Sequence, residues 1–282
     1  MACTSLNSIF ASLAAGTIVP YFGPGALSWT ETPSPIPAST AQLAARLVTR
    51  SPVPHKLRGN LSGAAQFIES FKHRKTLNTA MSEAFQIEAS PTALHRFFFN
   101  HPSVRLAVHA WYDDLPQRTL AARDDWYMVQ GVSQAEHRDG WAHYFDSHGM
   151  RLDASHLNAP GGRSLLLYQP LGSVWPARNY LVSDSDFVEV LTEIDIQTPI
   201  PEPVQQLRAG RSFLFLGCRF HSQLERQFAR QIIKRSSDLH WAILPEEPSR
   251  NEARFLEECN IVRIEMRIDA FLCTLTLQAS AS

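Results

Sequence analysis

Cysteine is scarce and poorly placed for pairing: Cys3, Cys218, Cys259 and Cys273 stand far apart and form no CxxC motif. That spacing argues against a disulfide framework or a cysteine zinc site and for a reducing compartment. No apolar run approaches the length of a membrane span. The apolar N-terminus lacks a basic leader, and Gly16-Thr17-Ile18-Val19-Pro20 reads as a helix end followed by a strand, not as a cleavage site. Together these absences predict a cytoplasmic protein. An excess of one charge is also missing. Lys and Arg number 26 against 27 Asp and Glu, a formal net charge of -1, which gives no electrostatic reason to expect nucleic acid or an anionic membrane as partner. The densest basic group, Lys72-His73-Arg74-Lys75, would point all round a helix, as on a solvated face. There is no GxSxG elbow to support Ser-His-Asp catalysis, no internal repeat and no low-complexity segment.

What remains is an ordinary globular composition, 44% hydrophobic and 19% charged over 282 residues, enough for one α/β domain with insertions or for two small domains. Leu6, Ile9, Phe10, Leu13 and Ala14 share one helical face before Gly16. The apolar run 18–22 then meets Gly23-Pro24-Gly25-Ala26-Leu27, a strand feeding a glycine-containing turn. Ser39 or Thr40 caps a helix carrying Leu43, Ala44, Leu47 and Val48. Further helices are expected over 62–71, 76–85 and from Pro91, so that about 39–89 forms a helical insertion.

Residues 104–110 read as a strand ending at Trp111-Tyr112-Asp113-Asp114. The stretch 126–162 is polar and rich in histidine, with a strand expected only over 127–132. Regularity returns with strands at 164–168, 212–216, 241–244 and 261–264, and with helices at 184–191, 221–234 and after Ser249. Strands alternating with helices predict a doubly wound, mostly parallel sheet that takes ligands at its carboxyl edge.

Several of these pieces resemble, in order, the sirtuin-like family, particularly bacterial members that bind or cleave NAD. Thr17 to Ala26 looks like the family's first strand and its "vvPfiGaGaS" turn. Leu94-His95-Arg96 and then Leu106 to Asp114 resemble "lHr…iiTTNYDdllE". Tyr168 to Ser173 with Tyr180 to Phe187 resembles "yKlHGs…ylvTesDf", and Phe213 to Phe220 is similar to "LFiGySl". The likeness covers about 6–264 apart from 126–162. It implies a single Rossmann-like domain over 1–282 with NAD or ADP-ribose as ligand.

Gly23, Gly25, Ala26 and Gly217 would approach the phosphates, because a Cβ there would block them and a helix start offers free N–H groups. The same glycines equally serve tight turns. Cys218 and Arg219 follow Gly217. A guanidinium at Arg219 can grip a phosphate or form a surface ion pair, whereas Cys218 reads better as a structural cysteine.

The likeness breaks where the family keeps its catalytic pair. Aligning Asp113 and Asp114 with the family's acidic pair puts Trp111 at the asparagine that orients the nicotinamide ribose or a water. Aligning Gly172 and Ser173 with the family's glycine-serine puts Leu171 at the histidine that acts as general base. Leucine has no titratable group, and tryptophan offers one N–H donor and no acceptor. Trp111 and Leu171 are therefore expected to plug the nicotinamide end and leave a binding module with a regulatory or accessory role. The alternative is an active NAD glycohydrolase with its chemistry relocated to His109, His95 and Asp113.

Two further constellations lie in 126–162. His137, His143, His148 and His156, interleaved with Glu136, Asp139, Asp146 and Asp153, match no metal-ligand spacing, so no metal is expected. Trp126, Tyr127, Trp141, Tyr144 and Phe145 can form a surface for a protein partner or pack as a lid, packing being the commoner use.

Overall fold

Short apolar runs set between amphipathic stretches give this chain alternating strands and helices. The computed structural model describes residues 2–28, 33–135, 140–153, 164–196 and 200–281. Helix α1 (Ala2–Ala14) precedes β1 (Ile18–Phe22), and a 3₁₀ turn at Pro24–Leu27 leads towards α2 (Thr40–Arg50), α3 (Leu61–Lys72), α4 (Arg74–Phe85) and α5 (Ala93–Asn100). Next come β2 (Leu106–His109), α6 (Leu115–Thr119), β3 (Trp126–Gly131), β4 (Ala142–Asp146) and β5 (Arg151–Leu152). After β6 (Leu165–Gln169) stand the small pair β7 (Gly172–Ser173) and β8 (Asn179–Tyr180), then α7 (Asp184–Ile196) and α8 (Glu202–Arg208). The chain closes with β9 (Ser212–Leu216), α9 (Gln223–Ile233), β10 (His240–Ile243), α10 (Arg250–Glu258), β11 (Ile261–Ile264) and α11 (Ile268–Ala281).

Nine strands form one sheet in the order β11-β10-β9-β1-β2-β6-β3-β4-β5. All neighbours are parallel except β3–β4 and β4–β5, which are antiparallel. The expected neighbours at 18–22 and 213–216 pair directly, with Val19 opposite Phe213 and Phe22 opposite Leu216. From β1 the chain moves to β2 on one side. It later returns as β9 on the other side and continues outward through β10 and β11. The strand order therefore reverses between β1 and β9, which makes their carboxyl ends the topological switch point where open α/β sheets bind ligands.

Side-chain alternation sends each strand into two cores. One face carries Ile18, Phe22, Ala107, Leu214 and Trp241 against Ile9 and Leu13 of α1, Phe98 and Phe99 of α5, and Phe271 of α11. The other carries Val19, Tyr21, Val108, Phe215 and Ala242 against Val204 of α8, Ile232 of α9 and Phe255 of α10. Helices thus cover both faces of the central strands β1, β2 and β9, which are largely apolar because neither face meets water.

Helices α2, α3 and α4 build a third core around Leu43, Leu47, Ile68 and Phe85. A buried ion pair fastens it to the sheet body: Arg74 Nη1 lies 2.9 Å from Asp186 Oδ2, whose side chain is 1% exposed. Asp186 also accepts from the N–H groups of Val182 and Ser183 and from the Ser133 hydroxyl. Breaking one member would leave a buried charge uncompensated.

Two regions were not foreseen. Beyond 132 the histidine-rich stretch supplies the antiparallel edge strands β4 and β5, and a terminal helix, α11, follows the last strand. The short α6, β7, β8 and α8 are additions between elements already read. Trp126, Tyr127 and Phe145 are buried in the sheet cores, so these rings serve packing. A partner surface within 126–162 would have to use other residues. His137, His156, Glu136 and Asp139 lie outside the described residues, and His148 is exposed beside Asp124. Among the described residues no group of three or more His, Cys, Asp or Glu could hold a metal ion. No described helix is long and apolar enough to cross a membrane.

Candidate functional site

At the switch point the turn after β1 packs backbone to backbone against the loop after β9. Gly23 N–H donates to Leu216 O at 2.9 Å and Gly25 N–H to Gly217 O at 2.8 Å. A Cβ on Gly23 or Gly25 would come within 2.7 Å of Gly217 O, and Gly217, at φ +66°, would set one 2.0 Å from Ala26 N. These three glycines are therefore required by each other's backbone. Ala26 N–H donates to Gly23 O, so all the N–H groups of Gly23, Gly25 and Ala26 have protein acceptors. Gly23 borders the adjoining cleft, whereas Gly25, Ala26 and Gly217 lie behind its wall.

The cleft has a volume of about 450 Å³, within the range of small-molecule sites. Its floor is Tyr21, Gly23 and Pro24 from the end of β1. One wall is Gly59 to Ser62 at the start of α3, and the other runs from Cys218 to Ser222 and into α9. Asn60 fits that wall because it caps α3, its Oδ1 accepting from Gly63 N–H at 3.1 Å. Among the titratable groups on the lining, burial pushes the Tyr21, Tyr112 and Cys218 acids upward, so all three stay neutral near pH 7.

Trp111 and Leu171 both border the cleft and both join the core of the helical insertion. Trp111 is 2% exposed. Its Nε1–H donates to Pro37 O at 2.8 Å, and its ring meets Phe85 edge-on with centroids 5.8 Å apart. The indole is thus satisfied and held from below, and Leu171 adds a second apolar side chain at the same end. Gly172, in β7, is buried away from the lining.

His109, His95 and Asp113 come together, but not on the cleft. His109 Nε2 lies 3.0 Å from Asp113 Oδ2, and Asp113 Oδ1 accepts from Leu115 N–H at 3.1 Å. His95 stacks on Phe22 at 5.4 Å and meets His109 at 6.1 Å. All three are at most 1% exposed and none lines the cleft. Burial drives the His95 imidazole down to about 3, so it is neutral. For Asp113, burial acts upward, but the adjacent His109 outweighs it and holds the carboxyl below its usual range. Two ring nitrogens, His95 Nε2 and His109 Nδ1, have no protein partner.

The wall after β9 is rich in carboxylates. Arg219 pairs with Glu246 at 2.5 Å and Glu252 at 3.4 Å. His221 Nδ1 lies 3.2 Å from Glu252 Oε2, and Phe220 N–H donates to Glu252 Oε1 at 3.3 Å. Ser222 and Glu225 form a capping box in which Glu225 N–H donates to the Ser222 hydroxyl and Ser222 N–H to Glu225 Oε2 at 2.9 Å. Burial raises the Glu225 carboxyl above its ordinary value against the opposing hydrogen bonds from Ser222.

A family model described as SIR2-like domain matches residues 105–264, more than half of the 282-residue chain. The chain belongs to the SIR2-like family. No curated protein matches it. The matched span runs from just before β2 to the end of β11, and the sheet it builds is completed by β1 and covered by the helices that precede it. SIR2-like domains typically bind NAD, and the cleft fits that ligand unevenly. The aromatic lining suits a heteroaromatic ring. At the glycine turn the N–H groups of Gly23, Gly25 and Ala26 are spent on protein acceptors. At the start of α9 the Glu225 carboxylate accepts from Ser222 N–H, so an incoming diphosphate meets a negative charge there.

Sequence reading missed Tyr21, Asn60, Tyr112, Phe220 and Glu225 as lining residues. Ser222-Gln223-Leu224-Glu225 is a readable capping-box signature. The Asn60 contribution depends on how the insertion folds over the sheet, which no local pattern announces.

Proposed function

We propose that this SIR2-like chain, read as one domain over 1–282, is a nucleotide-recognition module that binds an NAD-related ligand without cleaving it and serves a regulatory or accessory role. One observation carries the reading. The end of the cleft formed by Trp111 and Leu171 is apolar, and the histidines that could replace a missing base, His95 and His109, are sealed in the core. A positioned general base is worth about 10²–10⁴-fold in rate, and no imidazole or carboxylate free of structural duty stands at that end. Of the ionisable groups elsewhere on the lining, Glu225 is committed to Ser222, and His221 and Arg219 are paired with Glu252. Location at the switch point supports ligand binding independently of chemistry.

The test joins two readings on the purified chain. Thermal unfolding with NAD and with ADP-ribose is expected to show an upward shift that grows with ligand concentration, while nicotinamide release from NAD stays at the buffer rate. Release above that rate, abolished by His109→Ala or His95→Ala in a variant that still unfolds cooperatively, would overturn the non-catalytic reading.

A further inference from the structure

We propose that the cleft recognises its ligand through an uncharged nucleoside and gains nothing from the diphosphate, with Glu225 as the residue that selects against phosphate. This rests on the nucleotide-recognition reading above and narrows it.

A nucleotide diphosphate is held in an open α/β sheet by N–H groups at a glycine turn, by a helix start or by cations. The donors at the glycine turn and the Arg219 cation are already engaged, and the start of α9 carries a carboxylate of its own. At the first turn, Gly23, Gly25 and Ala26 donate to Leu216, Gly217 and Gly23, and Pro24 has no N–H. At the start of α9, Ser222 N–H is held by Glu225 and Phe220 N–H by Glu252. Arg219 is the one Lys or Arg among the described lining residues, and two carboxylates face it.

A phosphate entering here would have to displace Glu225 or Glu252 and then sit beside the displaced charge. The half-buried Glu225 carboxyl borders the cleft, in a position to accept hydrogen bonds from ribose hydroxyls or an exocyclic amine, groups that carry no charge. Tyr21, Trp111, Tyr112, Phe187, Phe220 and Phe228 supply rings on the lining, and stacking on an aromatic face needs no charge on the ligand. The chemistry that fits is a planar heteroaromatic base on a free ribose, and within the NAD-related ligands that is adenosine.

The experiment is calorimetric titration of the intact chain with adenosine, ADP-ribose and NAD at low and high salt. A single charge-assisted hydrogen bond to phosphate contributes about tenfold in affinity or more. Adenosine is expected to bind within about tenfold of ADP-ribose and NAD, or more tightly, with little dependence on salt. Glu225→Gln keeps an acceptor for the cap and removes the charge. It is expected to raise ADP-ribose affinity severalfold relative to adenosine.

ADP-ribose or NAD binding more than about tenfold tighter than adenosine would overturn this inference and leave the nucleotide reading standing. An unchanged ADP-ribose to adenosine ratio in Glu225→Gln would overturn the role of Glu225. No binding of any of the three would overturn both the inference and the reading it rests on.

Discussion

At one end of the cleft Trp111 and Leu171 close the space with carbon, side chain against the core of the helical insertion. Elsewhere Gly23 borders the cleft while Gly25 and Gly217 stand behind its wall, two turns hydrogen-bonded to each other. The wall after β9 carries Glu225 together with Glu246 and Glu252, the partners of Arg219. In the function proposed above, the first region leaves no place for a base and the second no place for a phosphate. On that proposal a SIR2-like fold keeps its switch-point cleft while both ends stop serving the chemistry the family resemblance implies. The sheet tolerates this because its cores are built from packed strands and covering helices.

The largest effect should come from restoring polarity at the carbon end. Trp111→Asn with Leu171→His removes a buried indole and an apolar neighbour, and loss of a core tryptophan alone costs about 3–5 kcal/mol. Chemical denaturation of the double variant should show a loss of about 4 kcal/mol or more. Where enough folded protein remains, its affinity for NAD should rise relative to ADP-ribose, since space for nicotinamide has reopened. A loss below about 1 kcal/mol would mean that the plug is not a structural element.

Gly217→Ala tests the backbone end. The left-handed φ and the Cβ placed 2.0 Å from Ala26 N should together cost about 3 kcal/mol, the upper part of the range for local backbone strain. The same substitution at Gly210, also at positive φ but with open space around its Cβ, should cost less. Equal losses at the two sites would show that the turn–turn contact adds nothing beyond φ.

The buried histidines make the stability of the fold depend on pH. His95 is held neutral by burial, its pKa lowered from 6.5 to about 3. The unfolded chain therefore binds a proton that the folded chain refuses as pH falls below 6.5. Stability from this source is complete above pH 6.5 and is lost progressively down to about pH 3. His240, lowered to about 4 with Phe213 N–H donating to its Nδ1, acts in the same direction, whereas Asp113 retains its charge until lower pH. His95→Phe suits a site already flanked by Phe22 and Phe99, and should make the slope of stability against pH between 6.5 and 4 shallower. An unchanged slope would show that His95 takes up its proton as readily in the folded state as in the unfolded chain.

The smallest effect is expected at the capping box. Glu225→Ala removes one cap acceptor and should cost about 0.5–1 kcal/mol in thermal or chemical unfolding. A loss several times larger would give Glu225 a structural role that competes with its proposed role in ligand selection.

Strands β1, β2, β6, β9 and β10 were readable because each is a short, mostly apolar run buried on both faces, and β11 because apolar Ile261, Val262 and Ile264 outweigh its one arginine. Ser249 announced its helix start, whereas the helix read from 221 begins at Gln223 behind the Ser222 cap. The edge strand β4 was not readable: its side chains alternate between buried and partly exposed, and its polar and histidine residues mask the period. At the site, the glycines were found but their purpose was not, since a glycine pattern does not say whether ligand or backbone fills the missing Cβ.

His109 and Trp111 would share a face if β2 continued. The strand ends at His109, and the bend that follows sends the indole into the insertion while the imidazole stays in the sheet core.

The most direct test of the central claim is a proton NMR experiment on NAD mixed with the intact chain, which reads contact and cleavage in one sample. Saturation transferred from protein to the adenine protons, with no free nicotinamide resonances beyond those in buffer, is the predicted result. Free nicotinamide growing with protein concentration would contradict the account, as would the absence of any transfer to NAD.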